Sequence, residues 1–152
     1  MATLSRILPM LVVSRIQTVY AKMIDQCQCG FVPENGCDDA IFILRNALDR
    51  TSDTLYLTFI DLRAAYDWIP RNLLFAILDL RLGLPHLTGL LKAIYTNTNA
   101  KIRGSRLSFP VETGCRQGGI ESPVLFNIFF DTVCRVLDHT LTHELGDQYG
   151  YH

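Results

Sequence analysis

Two aspartates near the middle of the chain have the type and the spacing that could bind a metal ion. Asp61 ends the run TLYLTFID, and Asp67 follows six residues later. The run is rich in β-branched and aromatic residues, so it predicts a strand over 54–61 with Asp61 at the rim of a sheet. Hard divalent cations prefer carboxylate oxygens, and phosphoryl transfer with two metal ions depends on such ligands. The spacing alone favours a structural alternative, in which Asp61 caps a turn and Asp67 caps a helix at Pro70.

A second candidate is the glycine-rich stretch GCRQGG at 114–119, which carries one cation and one amide. It runs into Ser122-Pro123, a typical helix start with serine as N-cap and proline in the first turn. Closely spaced glycines let a backbone approach a ligand, and a helix N-terminus favours an anion. Because many loops are rich in glycine, this stretch is a weak indication when taken alone.

The positive charge is concentrated in one part of the chain. The whole chain has 14 basic and 15 acidic residues, which excludes a globally basic nucleic-acid-binding protein. Between 92 and 116, Glu112 is the one acid among five basic residues, which are Lys92, Lys101, Arg103, Arg106 and Arg116. Two interpretations stay open for this region: a hairpin edge kept soluble by its charges, and a surface that contacts phosphate groups.

The elements that would position these residues are mostly helical. Periodic apolar residues and helix-terminal signals predict helices over 10–24, from Asp38 onward, from Pro70 to Gly83, over 86–95 and from Ser122 to about Leu137. Short strands at 101–103 and 107–111 would form a hairpin around Gly104-Ser105. With 152 residues, of which 49% are hydrophobic and 19% charged, we expect one core and an α+β fold, mostly helical with a few short strands.

Sequence features also bear on location. No apolar run approaches the roughly 20 residues that a membrane span needs, so no membrane partner is expected. The five cysteines are odd in number and irregular in spacing, which is typical of a reducing compartment. Cys27, Cys29 and Cys37 could be metal ligands, but the second pair that structural zinc sites usually have is missing. We expect an intracellular protein, in the cytoplasm or nucleus.

Four motifs in series resemble the reverse transcriptases of LINE-type (non-LTR) retrotransposons. They are QCGF at 28–31, DAIF at 39–42, FIDLRAAYD at 59–67 and RQGGIESPVLFN at 116–127. Their order and spacing also match, and the resemblance covers nearly the whole chain. It implies a partial right-hand polymerase, comprising fingers and the first part of the palm, whose activity is RNA-directed DNA synthesis.

The motif at 59–67 carries the family's catalytic positions. By this resemblance, Asp61 matches the first metal-binding aspartate of the palm, and the carbonyl of Leu62 would support the same ion. The implied cofactor is Mg²⁺, with Mn²⁺ as the alternative. The backbone of Ala64 and Ala65 would face the incoming deoxynucleoside triphosphate, while Tyr66 would lie under its sugar and exclude a 2′-hydroxyl by size.

The remaining positions concern nucleotide and template. Gln117 and Gly118 match the loop that lies along the incoming nucleotide. Nucleic-acid contacts are expected from the basic residues Lys101, Arg103, Arg106 and Arg116. The implied partners are an RNA template, a DNA primer, deoxynucleoside triphosphates, and the rest of the palm and the thumb of the complete protein.

The sequence departs from the family pattern in ways that bear on activity. The family's next motif, an aromatic residue, a variable residue and two aspartates, is absent from 1–152, where Asp-Asp occurs at 38–39. The arginine usual after Gly-Phe is replaced by Val32. We therefore expect 1–152 to be an incomplete reverse transcriptase domain, without the thumb and the second carboxylate motif, and inactive alone. The alternatives are a decayed retroelement remnant with at most residual nucleic-acid binding, and a metal-dependent hydrolase built around Asp61 and Asp67.

Overall fold

The computed structural model describes residues 4–25, 27–52 and 54–145. These ranges contain five helices and one antiparallel pair of short strands, which confirms the expected α+β, mostly helical fold. In chain order the elements are α1 (Leu4–Tyr20), α2 (Cys37–Arg50), α3 (Arg71–Leu82), α4 (Pro85–Tyr95), β1 (Asn99–Lys101), β2 (Ser108–Pro110) and α5 (Ser122–Leu145). None of the helices in these ranges is long and apolar enough to span a lipid bilayer.

Helices α1, α3, α4 and α5 enclose one apolar core. Its fully buried aliphatic side chains are Ile16 of α1, Leu74 and Leu78 of α3, Leu91 of α4, and Leu125 and Ile128 of α5. Burying each of these contributes about 1.5–3 kcal/mol relative to leaving it exposed. Helix α2 buries none of its side chains, although Ile41, Phe42 and Ile43 follow one another along it.

Helix α5 is longer than its sequence pattern predicts. The periodicity ends near Leu137, but the helix continues to Leu145 because residues 138–145 contain neither glycine nor proline to break it. The prediction that Ser122 caps this helix is wrong. Its hydroxyl instead donates to the carbonyl of Arg116 at 2.6 Å, and the carbonyl of Glu121 accepts the bond from the N–H of Leu125.

The strand predicted over 54–61 is not formed, so that prediction was also wrong. Residues 54–62 have no regular secondary structure and every one of them is exposed. A strand needs a neighbouring strand for its backbone donors and acceptors, and the sheet in the described ranges consists of β1 and β2. Asp61 therefore lies on an exposed irregular segment rather than at the rim of a sheet.

The predicted hairpin is confirmed, with its first strand two residues earlier than expected. Strands β1 and β2 pair in antiparallel register, with Asn99 opposite Pro110 and Lys101 opposite Ser108. Gly104 has a φ of +84° in the connection. The end of α3 at Gly83 also agrees with the sequence, because this glycine adopts a left-handed conformation and donates to the carbonyl of Asp79.

Two backbone hydrogen bonds fasten the loop at 112–119 to the turn at 63–69. The N–H of Gly114 donates to the carbonyl of Ile69 at 2.8 Å, and the N–H of Cys115 donates to the carbonyl of Tyr66 at 2.8 Å. A Cβ on Gly114 would lie 2.8 Å from both the Cα of Asp67 and the oxygen of Tyr66, and its φ is +77°. The close approach of these two backbones therefore depends on glycine at this position.

Arg71, the first residue of α3, holds the same loop from the other side. Its Nε donates to the carbonyl of Gly114 at 2.9 Å, and its Nη1 donates to the carbonyl of Val111 at 2.5 Å and to the Thr98 hydroxyl at 2.6 Å. The guanidinium also lies 5.0 Å from the centre of the Tyr95 ring. One partly buried cation thus connects α3, the end of α4 and the start of the loop.

The loop's dependence on glycine is testable with Gly114→Ala, for which we expect a loss of about 2–4 kcal/mol in the free energy of unfolding. Left-handed strain contributes about 1–2 kcal/mol and the backbone clash the rest. The matched control is Gly83→Ala. Gly83 has a φ of +61° but open space around its Cα, so an added Cβ introduces backbone strain without a clash. Equal losses for the two variants in urea unfolding would contradict the close approach.

A buried carboxylate joins α5 to α3 and to the segment that follows α1. Asp131 is 4% exposed, and its Oδ2 accepts hydrogen bonds from Arg81 of α3 at 2.5 Å and from Arg135 at 3.0 Å. Its Oδ1 accepts from the N–H of Asp25 at 3.3 Å, and Arg135 also donates to the carbonyl of Met23. Burial raises the pKa of Asp131, but the hydrogen bonds from Arg81 and Arg135 outweigh burial and hold the pKa below the usual aspartate range.

The lowered pKa of Asp131 makes the free energy of unfolding depend on pH. The stabilisation by Asp131 is fully present above the pKa of an unfolded aspartate, about 3.9, and is lost as pH falls through the lower pKa of the folded state. We expect Asp131→Asn to cost about 3–5 kcal/mol at pH 7, because two cations lose their partner, and to flatten the acid side of the stability profile. Asp49→Asn, at an exposed position on α2, is the control expected to leave the stability at pH 7 and the acid profile nearly unchanged. Urea unfolding between pH 3 and 7 measures this, and a parallel acid profile in Asp131→Asn would contradict it.

Candidate functional site

A cavity of about 390 Å³ lies between the turn and the loop that Gly114 brings together. One wall is formed by the turn residues 64–67, and the other by residues 116–119 with Ser122 and Pro123 at the start of α5. A volume of this size is within the range of small-molecule sites. Its lining includes all five residues that the resemblance assigns to the nucleotide, namely Ala64, Ala65, Tyr66, Gln117 and Gly118, together with Arg116.

The ring of Tyr66 is supported from below by α5. It packs against Phe126 with ring centroids 4.9 Å apart, and Phe126 stacks on Phe130 at 5.6 Å. Burial raises the pKa of Tyr66, with a smaller contribution from Cys115, so the hydroxyl is protonated at neutral pH. This row of rings places a rigid aromatic side chain at the cavity wall.

A hydrogen bond between side chains connects the two walls. The Nε2 of Gln117 donates to the Oδ1 of Asp67 at 3.1 Å. A primary amide has a second N–H and an oxygen acceptor, which are the groups that can read a polar ligand. Asp67 therefore supports the loop, a role that differs from the predicted helix cap at Pro70.

The backbone of Arg116 is fixed at three points. Its N–H donates to the Tyr95 hydroxyl at 3.3 Å, and its carbonyl accepts from the N–H of Gly119 at 2.9 Å and from Ser122. Its guanidinium lies 3.7 Å from the carboxylate of Glu121. A cation held in this way can face an anionic ligand at the wall of the cavity.

The thiol next to this arginine is not a nucleophile at neutral pH. Burial raises the pKa of Cys115 to about 11, although a hydrogen bond with Tyr95 opposes the shift. Reactive cysteines need the thiolate, which is scarce so far below the pKa. The arrangement is therefore one for binding through cation, amide and backbone rather than for covalent catalysis by this cysteine.

A second cavity of about 600 Å³ adjoins the first and shares Asp67, Arg116 and Gln117 with it. It extends past Arg71 to Asn99 and Ala100 of β1. The hydrogen bond between Asp67 and Gln117 thus lies at a boundary between two spaces, one beside α5 and one beside the hairpin.

The predicted metal ligands lie outside the first cavity. Asp61 is exposed, and Leu62 lines a neighbouring depression of about 200 Å³ with Trp68 and Phe129, which shares Ala65 with the first cavity. Within residues 4–25, 27–52 and 54–145, no three His, Cys, Asp or Glu side chains are grouped so that they could hold a metal ion. A hard divalent cation takes about six oxygen ligands, so these ranges do not by themselves complete a metal centre, either for a polymerase or for the hydrolase considered above.

The structure separates the four basic residues predicted to contact nucleic acid. Lys101 ends β1, Arg103 and Arg106 lie in the hairpin connection, and all three are exposed. Arg116 is half-buried in the cavity wall instead. The hairpin therefore presents a solvent-facing basic edge, and the fourth cation belongs to the cavity.

Sequence reasoning missed the residues that hold the site together. Arg71 and Glu121 were not singled out, although a lone acid inside the apolar stretch GGIESPVLF is a signal for a buried, partnered carboxylate. No comparable signal exists for Arg71, because its partners, three backbone carbonyls and the Thr98 hydroxyl, lie 24 to 43 residues away.

Comparisons with known proteins give a match at the level of the family. Residues 1–148 match the family described as reverse transcriptase (RNA-dependent DNA polymerase). The chain is also similar to the Putative COX1/OXI3 intron 2 protein of Saccharomyces cerevisiae, with 27% identity over 135 residues that cover 86% of this chain and 15% of that protein. Members of the matched family use nucleic-acid templates and nucleotide substrates, and generally divalent metal ions. Because the match extends over nearly its whole length, the chain belongs to the reverse transcriptase family.

Proposed function

We propose that residues 1–152 contain the nucleotide-binding part of an RNA-directed DNA polymerase from a LINE-type element. They would comprise its fingers and the first part of its palm. The supporting observation is that one cavity is lined by residues from two motifs whose contact joins positions 50 apart, Asp67 and Gln117. All five residues assigned to the nucleotide by resemblance lie in that lining. The four motifs support a LINE-type parent, while the name of the yeast relative makes an intron-borne parent the alternative for the same activity.

Each wall would make a distinct contribution to binding the deoxynucleoside triphosphate. Arg116 would face the phosphates with its guanidinium, and the backbone at Gly118, which has open space around its Cα and a φ of +72°, would approach them closely. Tyr66 would lie under the sugar, where its α5-supported ring leaves little room for a 2′-hydroxyl. Lys101, Arg103 and Arg106 would contact the RNA template and DNA primer through phosphates, at the exposed hairpin.

The chemical step would be nucleotidyl transfer in the complete protein, to which two bound Mg²⁺ or Mn²⁺ ions would supply activation of the primer hydroxyl and neutralisation of charge on the pyrophosphate. Asp61 and the carbonyl of Leu62 would be ligands of one ion. Because the described ranges group no further ligands around them, the second carboxylate motif would come from residues other than 1–152. The rest of the palm and the thumb would come from the same source. The alternative proposal is a remnant that binds nucleic acid without catalysis.

The binding half of this proposal is tested by calorimetric titration of the chain with dATP. We expect binding by the native sequence and at least a tenfold loss in Arg116→Ala, the loss typical of removing a charge-assisted hydrogen bond. Arg45→Ala is the matched control, since Arg45 is exposed on α2 and away from the cavity lining. Absence of dATP binding, or an equal loss in both variants, would contradict the assignment of the cavity.

The catalytic half is tested by primer extension on an RNA template over a range of Mg²⁺ concentrations. We expect no extension by residues 1–152 alone, because one aspartate and one carbonyl supply too few ligands for two ions. The control is Asp61→Ala, assayed in parallel. Extension by the native sequence that this substitution abolishes would show that the chain needs no further carboxylates, and would overturn the proposed division of the domain.

A further inference from the structure

A buried carboxylate lies behind the wall of the nucleotide cavity, and the functions assigned so far do not use it. Glu121 is 1% exposed, and its Oε1 has no hydrogen-bond partner among the residues that the structure describes. Burying a carboxylate without full hydrogen bonding is costly, so its position needs a compensating interaction. The nearest cation is the Arg116 guanidinium, whose Nη1 lies 3.7 Å from that oxygen.

Glu121 contacts both ends of the four-residue loop 116–119. Besides facing Arg116 at the start, its carboxylate lies against the Cα of Gly119, where an added Cβ would be 2.6 Å from Oε1 and 2.8 Å from Cδ. The backbone of Glu121 is itself fixed, because its carbonyl accepts from Leu125 in the first turn of α5. The side chain is therefore a rigid support on which the loop rests.

The cavity lining makes this support relevant to binding. The cavity lining includes Arg116, Gln117, Gly118 and Gly119, whereas Glu121 is buried and is not part of it. An arginine side chain has many rotamers, and holding it in one of them before the ligand arrives lowers the entropic cost of binding. An anion beneath the guanidinium provides that restraint, while the absence of a side chain at Gly119 lets the anion fit.

We propose that Glu121 is a positioning residue that holds Arg116 and the loop 116–119 in the shape that receives the phosphates of a nucleoside triphosphate. The proposal rests on the assignment of the cavity to a nucleotide. It extends that assignment to a residue that touches no ligand and acts through its neighbour. Its charge and its fit under Gly119 are separate requirements, so each can be perturbed without the other.

The first test measures the arginine itself and needs no nucleotide. Phenylglyoxal modification of the folded chain is followed residue by residue by mass spectrometry. In Glu121→Gln we expect Arg116 to react about fivefold faster, the factor expected when a partly buried ion pair is lost. Arg103 and Arg106 should keep their rates and serve as internal references. Glu112→Gln, an exposed glutamate changed in the same way, should leave the Arg116 rate unaltered.

The second test removes the fit without removing the charge. Gly119 has no left-handed φ, so Gly119→Ala adds chiefly the clash with the carboxylate of Glu121. We expect Gly119→Ala, like Glu121→Gln, to increase the rate at which Arg116 reacts with phenylglyoxal. If circular dichroism shows that Glu121→Gln is unfolded, Gly119→Ala alone tests whether Glu121 holds Arg116.

The third test links the support to binding. We expect Glu121→Gln to lower the affinity for dATP about fivefold in the native background and to leave it unchanged in an Arg116→Ala background. An equal effect in both backgrounds, or an unchanged Arg116 rate in folded Glu121→Gln and Gly119→Ala, overturns the proposal. If the native chain binds no dATP, the nucleotide assignment fails, while the arginine rates still decide whether Glu121 holds Arg116.

Discussion

The candidate site depends on the close approach of two backbones at Gly114. The turn at 63–69 and the loop at 112–119 are distant in sequence, and two backbone hydrogen bonds join them where a Cβ would collide with Tyr66 and Asp67. The contact is made through main-chain atoms, so it needs the absence of a side chain at position 114. The cavity between the turn and the loop, with its cation and its amide, is a consequence of that contact.

Helix α5 is the support that both halves of the site share. Its first turns bury Leu125 and Ile128 in the core and carry Phe126, which packs against the ring of Tyr66 in the cavity wall. Two buried acids, Asp131 within α5 and Glu121 just before it, differ in their surroundings. Asp131 is satisfied by two arginines and a backbone N–H, which suits a structural role. Glu121, beneath the loop, has one oxygen that accepts no hydrogen bond from the part of the chain that the structure describes.

The apolar segment at 54–62 has the sequence pattern of a strand but does not form one. Its alternation predicts a strand, yet Tyr56 and Phe59 are 89% and 82% exposed and no neighbouring strand is present in those ranges. Strand formation depends on a partner for each backbone group, which a pattern of side chains cannot supply. The same reasoning applies to the hydrophobic residues of α2, which bury nothing.

The sequence alone predicted five helices, although α1 begins earlier than the expected 10–24 and α5 ends later than Leu137. It also predicted the hairpin around Gly104-Ser105 and, through four motifs in order, the reverse transcriptase family and five of the residues that line the cavity. The helices and the hairpin are local features, so periodicity, glycine and proline were enough to predict them. The family and the five cavity residues came instead from the resemblance of the four motifs to a known family. Tertiary structure decided that 54–61 is no strand, that Ser122 holds Arg116 rather than a helix end, and that Arg71 and Glu121 support the loop. Those outcomes depend on partners many residues away, and hydrogen bonds to distant backbone atoms leave no periodic trace in a sequence.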